Sequence, residues 1–260
     1  MNYFFQIDAF AKEPFSGNTA GVVVLKSTLN VGQMQKMAAQ NNLPATAFIQ
    51  CLNPGFALRW FTPKRELLLC GHATLASAYA LFELGMAKPD DKIHFATASG
   101  GIWAGWSNGW VTIDFPVYAS EPAEIPADLK SLFCGQFKSG FKTQDKYLIE
   151  LKDEAAVRNY TPDFTALNPY KCVVTARCDA GSGYDFVSRF FDGPDGIPED
   201  AVTGSSHCSL APFWASRLGK NEMFAFQASS RSGELKLILN NHRLLISGQA
   251  ITIIEGKMMV

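Results

Sequence analysis

The chain has 260 residues, of which 47% are hydrophobic and 18% charged, and its formal net charge is −1. This length allows one large or two medium domains with a sizeable core, and the composition is that of a globular protein rather than a disordered one. The nearly neutral charge argues against nucleic-acid binding, and no apolar run approaches the roughly 18 residues of a membrane span.

The first half of the chain predicts a sheet and two helices. Val31 to Ala39 has helical spacing of apolar residues. Gly71 to Leu84 is small and apolar on nearly every side, which is typical of a central, enclosed helix. Asn53-Pro54-Gly55 and Asn108-Gly109 predict hairpin turns. Strands are predicted over residues 1–10, 22–25, 46–51, 56–61, 93–95, 102–106 and 110–115.

The second half repeats this plan after a loop-rich segment that follows Pro116. Its central helix is predicted over Gly204 to Leu218, with a kink or break at Pro212. Strands are predicted over residues 147–151, 172–176, 184–191, 224–228, 235–239 and 244–254. We therefore expect an α+β fold with two pseudo-symmetric halves, 1–116 and 117–260. Each half is a curled β-sheet around one apolar helix, and the C-terminal strand could pack back on the first half.

One motif occurs twice, about half a chain length apart, which is the signature of a duplicated domain. The offset is 130 residues at the arginines (189 − 59) and 133 at the acids (199 − 66). Each copy ends in a glycine that opens a helix, and a helix N-terminus is suited to hold an anion. The repeated arginines indicate a structural ion pair in each half rather than catalysis. The copies are Arg59-Trp60-Phe61, Glu66 and Cys70-Gly71-His72, and Arg189-Phe190-Phe191, Glu199 and Thr203-Gly204-Ser205.

Cysteine and histidine usage predicts a cytoplasmic protein with reduced thiols and no metal. The six cysteines lack the spacing of a disulfide framework. The start of the chain alternates like a strand and lacks the basic and long apolar regions of a signal peptide. Cys70 and His72 are too close in sequence to share a tetrahedral metal comfortably, and no other pair has zinc-site spacing.

Six motifs in order resemble the PhzF family of phenazine-biosynthesis-like isomerases, which share the diaminopimelate epimerase fold. The resemblance covers essentially the whole chain. It implies two pseudo-equivalent domains with an active site in the cleft between them, no cofactor or metal, and a homodimer. It also implies a proton shift on a small carboxylated metabolite, the reference substrate being a dihydro-hydroxyanthranilate. The motifs are Asp8-Ala9-Phe10, Phe15-x-Gly17-Asn18, Arg59-Trp60-Phe61-Thr62-Pro63, Leu69-Cys70-Gly71-His72-Ala73-Thr74, Glu199-Asp200-x-Val202-Thr203-Gly204-Ser205 and Gln227-Ala228-Ser229.

The chain departs from this family at the proton carrier. The resemblance implies a glutamate within Asn-Leu-Ser-Glu-Thr-Ala-Phe, but residues 42–48 have Ala45 at that position and Pro44 before it. Alanine cannot carry a proton. Either the residue was changed by engineering or accident, or this branch has lost or relocated the step, and the two adjacent changes favour natural divergence.

The resemblance implies roles for the other residues of the motifs, beside which simpler interpretations remain open. Asp200 and His72 would be polar partners of the substrate, although Asp200 could simply cap the second central helix and His72 anchor the first. Asn18 would orient the cleft or make the turn. Carboxylate binding would fall to the helix starts, at Gly71, Thr203, Gly204 and Ser205.

Cys70 raises a different hypothesis, an amino-acid racemase or epimerase. Enzymes of this type on the same fold use two cysteines, one before each central helix. The repeat partner of Cys70 is Thr203, whose hydroxyl is far too weak an acid, so this hypothesis is disfavoured and Cys70 is interpreted as a small buried residue. Beside an isomerase with a mutated carrier stands a natural pseudoenzyme that binds a small acid or a partner protein.

Overall fold

The computed structural model describes residues 2–259 and divides the chain into two units. The first unit contains the residues up to Phe115 together with those from Leu245 onward, and the second runs from Pro116 to Leu244. The sequence predicts a division into 1–116 and 117–260 and allows the C-terminal strand to pack back on the first half; in the structure the residues from Leu245 onward are part of the first unit. No helix among residues 2–259 is long and apolar enough to cross a membrane.

The first unit is a curved, mixed sheet around one central helix. The last strand returns to the first, since β18 pairs antiparallel with β1 from Asn2 opposite Met258 to Ala9 opposite Ala250. This pairing explains why the chain end joins the first unit. The elements are β1 (Asn2–Ala9), β2 (Asn18–Leu25), α1 (Val31–Asn41), β3 (Ala45–Cys51), β4 (Phe56–Phe61), β5 (Glu66–Leu67), α2 (Gly71–Glu83), β6 (Ile93–Thr97), β7 (Gly100–Ser107), β8 (Trp110–Pro116) and β18 (Ala250–Met258).

The second unit has the same plan, with three short helices in addition to its central helix. Sequence patterns missed three of these helices, because none exceeds five residues and such lengths carry no helical periodicity. The elements are β9 (Glu121–Pro122), α3 (Ala127–Ser131), β10 (Phe137–Lys142), β11 (Tyr147–Leu151), α4 (Glu154–Arg158), α5 (Phe164–Leu167), β12 (Lys171–Arg177), β13 (Phe186–Asp192), β14 (Ile197–Asp200), α6 (Gly204–Leu218), β15 (Glu222–Gln227) and β16 (Gly233–Asn240), while β17 (Arg243–Gly248) spans the boundary.

Strand pairing repeats in order from one unit to the other. In the first unit β2 and β3 are parallel, β4 runs antiparallel to β3 and β5, and β6 lies parallel to β4 and antiparallel to β7. In the second unit β11, β12, β13, β14, β15 and β16 repeat these relations one for one. The duplication inferred from the sequence motif is therefore present in the topology.

The two central helices are enclosed as their composition predicts. Eleven of the 13 residues of α2 are buried, and the helix packs against β1, β2 and β3. In α6, ten of 15 residues are buried. Trp214 of α6 stacks on Phe186 of β13, and its indole Nε1 donates to the hydroxyl of Thr175 in β12 at 2.9 Å. Both helices thus anchor the strands that precede them.

Pro212 does not break α6, contrary to one of the two outcomes predicted for it. The helix runs from Gly204 to Leu218 with Pro212 inside. Proline has no N–H to donate to the carbonyl four residues earlier, which here is that of Cys208. The backbone N–H of Tyr118 donates to this carbonyl at 2.9 Å instead. A tertiary hydrogen bond therefore replaces the one that proline removes.

Candidate active site

The start of α2 brings three polar side chains of the first unit together. Asn18, the first residue of β2, is fully buried, and its Nδ2 lies 3.3 Å from Nδ1 of His72. The Cys70 Sγ lies 3.6 Å from the same nitrogen and 4.0 Å from Nε2. An amide that donates to Nδ1 makes this nitrogen an acceptor, so the neutral ring carries its proton on Nε2. Asn18 and His72, which come from different sequence motifs, thus meet at the start of α2.

Burial keeps the His72 imidazole neutral. The side chain is enclosed, and the loss of hydration lowers its pKa from 6.5 to about 4. At neutral pH the ring is therefore a hydrogen-bonding base rather than a fixed cation. Such a group can take up a proton when an anion binds beside it.

Ala45 lies on the same face of the sheet as Asn18. Ala45 opens β3 opposite Ala20 of the parallel strand β2, and directly opposite residues share a face. Asn18 precedes Ala20 by two residues, so its side chain also points to that face, where it meets His72. Ala45 is 0% exposed. The family's glutamate position is thus occupied by a buried methyl group on the α2 side of the sheet.

A buried carboxylate holds the turn that leads to Asn18. Asp8 is enclosed, and it accepts hydrogen bonds from the Thr19 hydroxyl at 2.6 Å and from the backbone N–H of Phe15 at 3.0 Å. Thr19 occupies a position where proline is usual in the family that the motifs resemble, and it supplies a donor that proline lacks. The turn therefore positions Asn18 from two sides.

Gly17 in this turn is required for two reasons, and Gly85 offers a matched control. Both have left-handed φ angles, +67° and +65°, but a Cβ on Gly17 would lie 2.3 Å from the carbonyl oxygen of Ala9, whereas Gly85 has open space. We expect Gly85→Ala to cost about 1–2 kcal/mol for the backbone angle alone. Gly17→Ala should cost at least about 2 kcal/mol more, because the neighbouring backbone must shift. Urea unfolding measures both, and equal losses would contradict the close approach.

The start of α6 is organised by one buried glutamine of the second unit. Gln227 ends β15; its Oε1 accepts from the N–H of Thr203 at 2.9 Å, and its Nε2 donates to the backbone carbonyl of Asp200 at 2.9 Å. The Thr203 hydroxyl donates to a carboxylate oxygen of Asp200. Asp200 and Thr203 thus form one network with Gln227, which leads directly into Gly204 and Ser205.

The two central helices differ from the capped helices of this chain. Asn30, Asp153 and Asp163 cap α1, α4 and α5 with side-chain oxygens. Neither Cys70 nor Thr203 makes such a bond at the start of α2 or α6. The backbone N–H groups at the start of these helices, which begin at Gly71 and Gly204, therefore donate no hydrogen bond to the side chain of the N-cap residue. Uncapped N-termini suit a bound carboxylate.

The repeated arginines form the predicted structural ion pairs. Arg59 binds both carboxylate oxygens of Glu66 at 2.7 and 2.8 Å. Arg189 binds those of Glu199 at 2.7 and 2.9 Å. In each unit the pair joins the strand before the loop to the strand that leads to the central helix, so it braces the loop that sets the helix start.

The site residues inferred from the sequence fall into two groups, one in each unit. Asn18, Ala45, Gly71 and His72 lie around the start of α2, while Asp200, Thr203, Gly204 and Ser205 lie around the start of α6. Sequence reasoning did not select Gln227 as a site residue, although a polar residue at the end of an apolar strand was a signal. It considered Cys70 as one base of a racemase, disfavoured this and interpreted the side chain as a small buried one, and the contact of Cys70 with His72 needed the structure.

A second enclosed histidine lies in the first turn of α6. His207 is fully buried, its Nδ1 lies 2.8 Å from the Thr203 carbonyl oxygen, and its Nε2 has no partner among the described residues. Burial lowers its pKa to about 4, as it does for His72. Each central helix therefore begins with a neutral, enclosed imidazole.

These two histidines predict a steep acid dependence of stability. Between pH 6.5 and 4 the unfolded chain binds a proton at each histidine while the folded chain does not, so the free energy of unfolding falls as pH falls. The expected slope is about 1.4 kcal/mol per pH unit for each histidine. Urea unfolding from pH 7 to 5 measures this slope. His72→Asn and His207→Gln should each remove the contribution of one histidine to it. A slope unchanged by both substitutions would contradict the pKa shifts.

Known proteins place this geometry in a family. A family model described as "Phenazine biosynthesis-like protein" matches residues 7–256. A relative from Pseudomonas aeruginosa named "Uncharacterized isomerase" is 41% identical over 259 residues, covering 98% of this chain and 97% of the relative. Another of that name from Halalkalibacterium halodurans is 37% identical over 264 residues, covering 98% of this chain and 97% of the relative.

Solved structures give the same result. A PhzF-family protein from Enterococcus faecalis has a TM-score of 0.93 at 37% identity, with full coverage of both chains. A probable proline racemase from Agrobacterium radiobacter has a TM-score of 0.69 at 10% identity, covering 100% of this chain and 93% of that one, which shows a shared fold alone. The predicted fold class is confirmed. With a match over nearly its whole length and relatives well above one-third identical, the chain belongs to the PhzF family of phenazine biosynthesis-like proteins.

Proposed function

We propose that the protein is a cofactor-independent isomerase that shifts a proton within a small carboxylated metabolite. The family and the isomerase names of its relatives support the reaction class. The observation that carries the proposal is the enclosed pair of Asn18 and His72 at the uncapped start of α2. A neutral imidazole held by a buried amide at a helix N-terminus combines a proton acceptor with a place for an anion.

The proposed roles follow from the surroundings of each residue. The backbone N–H groups at Gly71 and Gly204, with the Ser205 hydroxyl, hold carboxylate oxygens, because both helix starts lack a side-chain cap. Asp200, oriented by Thr203, accepts a hydrogen bond from a polar group of the substrate. His72 stabilises charge that develops as the proton leaves. We further propose a homodimer, which light scattering would test.

The test is deuterium uptake from heavy water into dihydro-hydroxyanthranilate and related amino-acid-like acids. We expect exchange that His72→Asn and Asp200→Asn each reduce by about 10²-fold. His242→Asn, at an exposed histidine, is the matched control and should leave the rate unchanged. Exchange that survives both site substitutions would refute the assigned roles, and the absence of both exchange and binding across the panel would refute the reaction class.

Ala45 favours a second candidate, a protein that binds small acids without turnover. Its buried methyl group cannot carry a proton. This candidate predicts that millimolar anthranilate raises the melting temperature of the chain while no acid of the panel takes up deuterium. Binding lost in His72→Asn would place the acid at the same helix start.

A further inference from the structure

We propose that the thiol of Cys70 and the imidazole of His72 together form the proton carrier of this chain, at the site where Ala45 supplies none. The inference rests on the proposed isomerase function and adds to it the group that moves the proton. Cys70 thereby becomes a catalytic residue and Asn18 a positioning residue. This assignment gives the site a proton carrier although the family's glutamate is replaced by alanine.

The contact between the two side chains carries this inference. The Cys70 Sγ lies 3.6 Å from Nδ1 of His72, within the longer range of hydrogen bonds to sulfur, and both side chains are buried. Cys70 is the N-cap residue of α2, but its side chain makes no capping hydrogen bond to the backbone of the helix. Its sulfur is directed to the imidazole, at a helix end whose dipole favours a thiolate.

Other buried cysteines of the chain lie in surroundings that keep the thiol protonated. Burial raises the thiol pKa of Cys172, Cys178 and Cys208 to about 12, so these side chains stay protonated at neutral pH. Cys172 and Cys208 are wholly enclosed within a strand and a helix. Cys70 instead stands before a helix start with a neutral base in contact.

The position of Cys70 and His72 relative to Ala45 is also suitable for a proton carrier. Ala45 and Asn18 share the face of the sheet that α2 covers, and Asn18 touches His72. The thiolate of Cys70, just before the first turn of α2, therefore approaches the substrate from the helix end, whereas the family's glutamate would approach from the strand. The same region of the first unit provides the proton acceptor in both arrangements.

The proposed step moves one proton and needs no oxidant or cofactor. The thiol proton of Cys70 passes to Nδ1 of His72, which leaves a thiolate beside an imidazolium. The thiolate removes a proton from a carbon of the substrate, and the electron pair of that C–H bond delocalises into the π system conjugated with the carboxylate. The thiol then returns the proton to a different carbon. The imidazolium finally returns its proton to the sulfur, so the enzyme is restored.

Asn18 would take part in this cycle by rotation of its amide. Its Nδ2 lies 3.3 Å from the imidazole nitrogen that receives the thiol proton. An imidazolium is a donor at both nitrogens, so the amide must present its oxygen to it. Asn18→Ala should therefore lower the turnover rate more than the binding of substrate, whereas a purely structural role would affect both through loss of folded chain.

The experiment compares exchange in four chains that all carry Cys51→Ser and Cys134→Ser, which remove the exposed thiols. These are the background chain, Cys70→Ala, Ala45→Glu, and Cys208→Ala as the matched buried-cysteine control. With dihydro-hydroxyanthranilate in heavy water we expect exchange in the background chain, a loss of at least about 10²-fold in Cys70→Ala, and no loss in Cys208→Ala. Urea unfolding of each variant checks that it is folded, and Cys70→Ser replaces Cys70→Ala if the latter unfolds.

The outcomes separate this inference from the function on which it rests. If the background chain exchanges and Cys70→Ala retains its rate, the thiol is not the carrier but the isomerase function stands. If only Ala45→Glu exchanges, the carrier inference is overturned and the site class stands. If no folded chain exchanges, both fall.

A second measurement needs no substrate. Iodoacetamide should alkylate Cys70 of the background chain at least about tenfold faster than in His72→Asn, because the imidazole generates the thiolate. Peptide mass spectrometry assigns the modified cysteine. Equal rates in the two chains would overturn the pairing of the thiol with the imidazole.

Discussion

Arg189→Met should destabilise the chain by about 3–5 kcal/mol, while Arg59→Met, at the repeated position of the other unit, should cost at most about 1 kcal/mol. The two arginines make the same bidentate ion pair, and each guanidinium lies 5.5 Å from the ring of the phenylalanine two residues later. The geometry of the ion pair and of the contact with the phenylalanine ring therefore does not distinguish the two arginines. Burial does, since the side chains of Arg189 and Glu199 are 9% and 13% exposed, against 37% and 32% for Arg59 and Glu66.

The difference arises from what each substitution leaves behind. Removal of Arg189 would leave Glu199 charged with little water around it, and the carbonyl oxygen of Tyr160 would lose the hydrogen bond from the guanidinium. Removal of Arg59 leaves Glu66 at a surface where water solvates it. Since Glu199 immediately precedes Asp200, we also expect Arg189→Met to disturb the start of α6.

Urea unfolding of the two variants at pH 7 measures this contrast. The double variant Arg189→Met/Glu199→Met should recover much of the stability, because it removes the buried charge together with its partner. Similar losses at positions 59 and 189 would show that burial of the ion pair does not set its importance.

The duplicated motif made much of this fold predictable from the sequence. Because each copy joins an Arg-aromatic-Phe strand to a glycine-opened apolar helix, it fixed the two central helices and the ion pairs that brace them. The sequence allows the return of the C-terminal strand to the first half, but periodicity could not fix the residue at which the chain returns, Leu245, since pairing of β18 with β1 joins opposite ends of the chain. Nor could it show that the backbone of Tyr118 would replace the hydrogen bond lost at Pro212.

Site residues could be predicted from the sequence where they belong to a recognised motif, but not where their role depends on the orientation of the side chain. Asn18 and His72 come from different motifs and meet in the structure. Cys70 and His72 are two residues apart, a spacing that does not determine whether their side chains touch. The contact depends on the extended backbone of Cys70 before the helix, with φ at −146°. Gln227 reaches Thr203 from a strand 24 residues later, a distance that no local pattern spans.

Ala45→Glu should raise deuterium exchange into dihydro-hydroxyanthranilate by about 10²–10⁴-fold relative to the chain as it stands. The new carboxylate would start on the α2 face of β3, the face on which Asn18 meets the neutral His72. There it can take a proton from the substrate directly. It should also make the thiol dispensable, so Cys70→Ala should have little effect on the rate when combined with Ala45→Glu.

Ala47→Glu is the matched control for this gain. Ala47 is equally buried and points to the same face two residues further along β3, opposite Val22 and Trp60 in the core of the sheet. A carboxylate there would lie in the interior of the sheet between two core strands and should unfold the chain. Ala45→Glu should instead remain folded, because residue 45 lies at the start of the strand, on the face that it shares with the polar Asn18. If both variants unfold alike, the strand start has no room for a carboxylate, and the family's arrangement cannot be restored by this residue alone.

The pH dependence of Ala45→Glu would identify the environment of the new group. Burial raises the pKa of a carboxyl above its unfolded value of about 4.3. The variant should therefore come closest to the parent's stability below pH 4.3 and lose stability as pH rises through the folded pKa, opposite in direction to the effect of the two buried histidines. A difference from the parent that is constant between pH 5 and 8 would mean that the carboxylate reaches water. In that case the exchange that it produces would have to come from a solvated base, and the enclosed site at the start of α2 would not be its location.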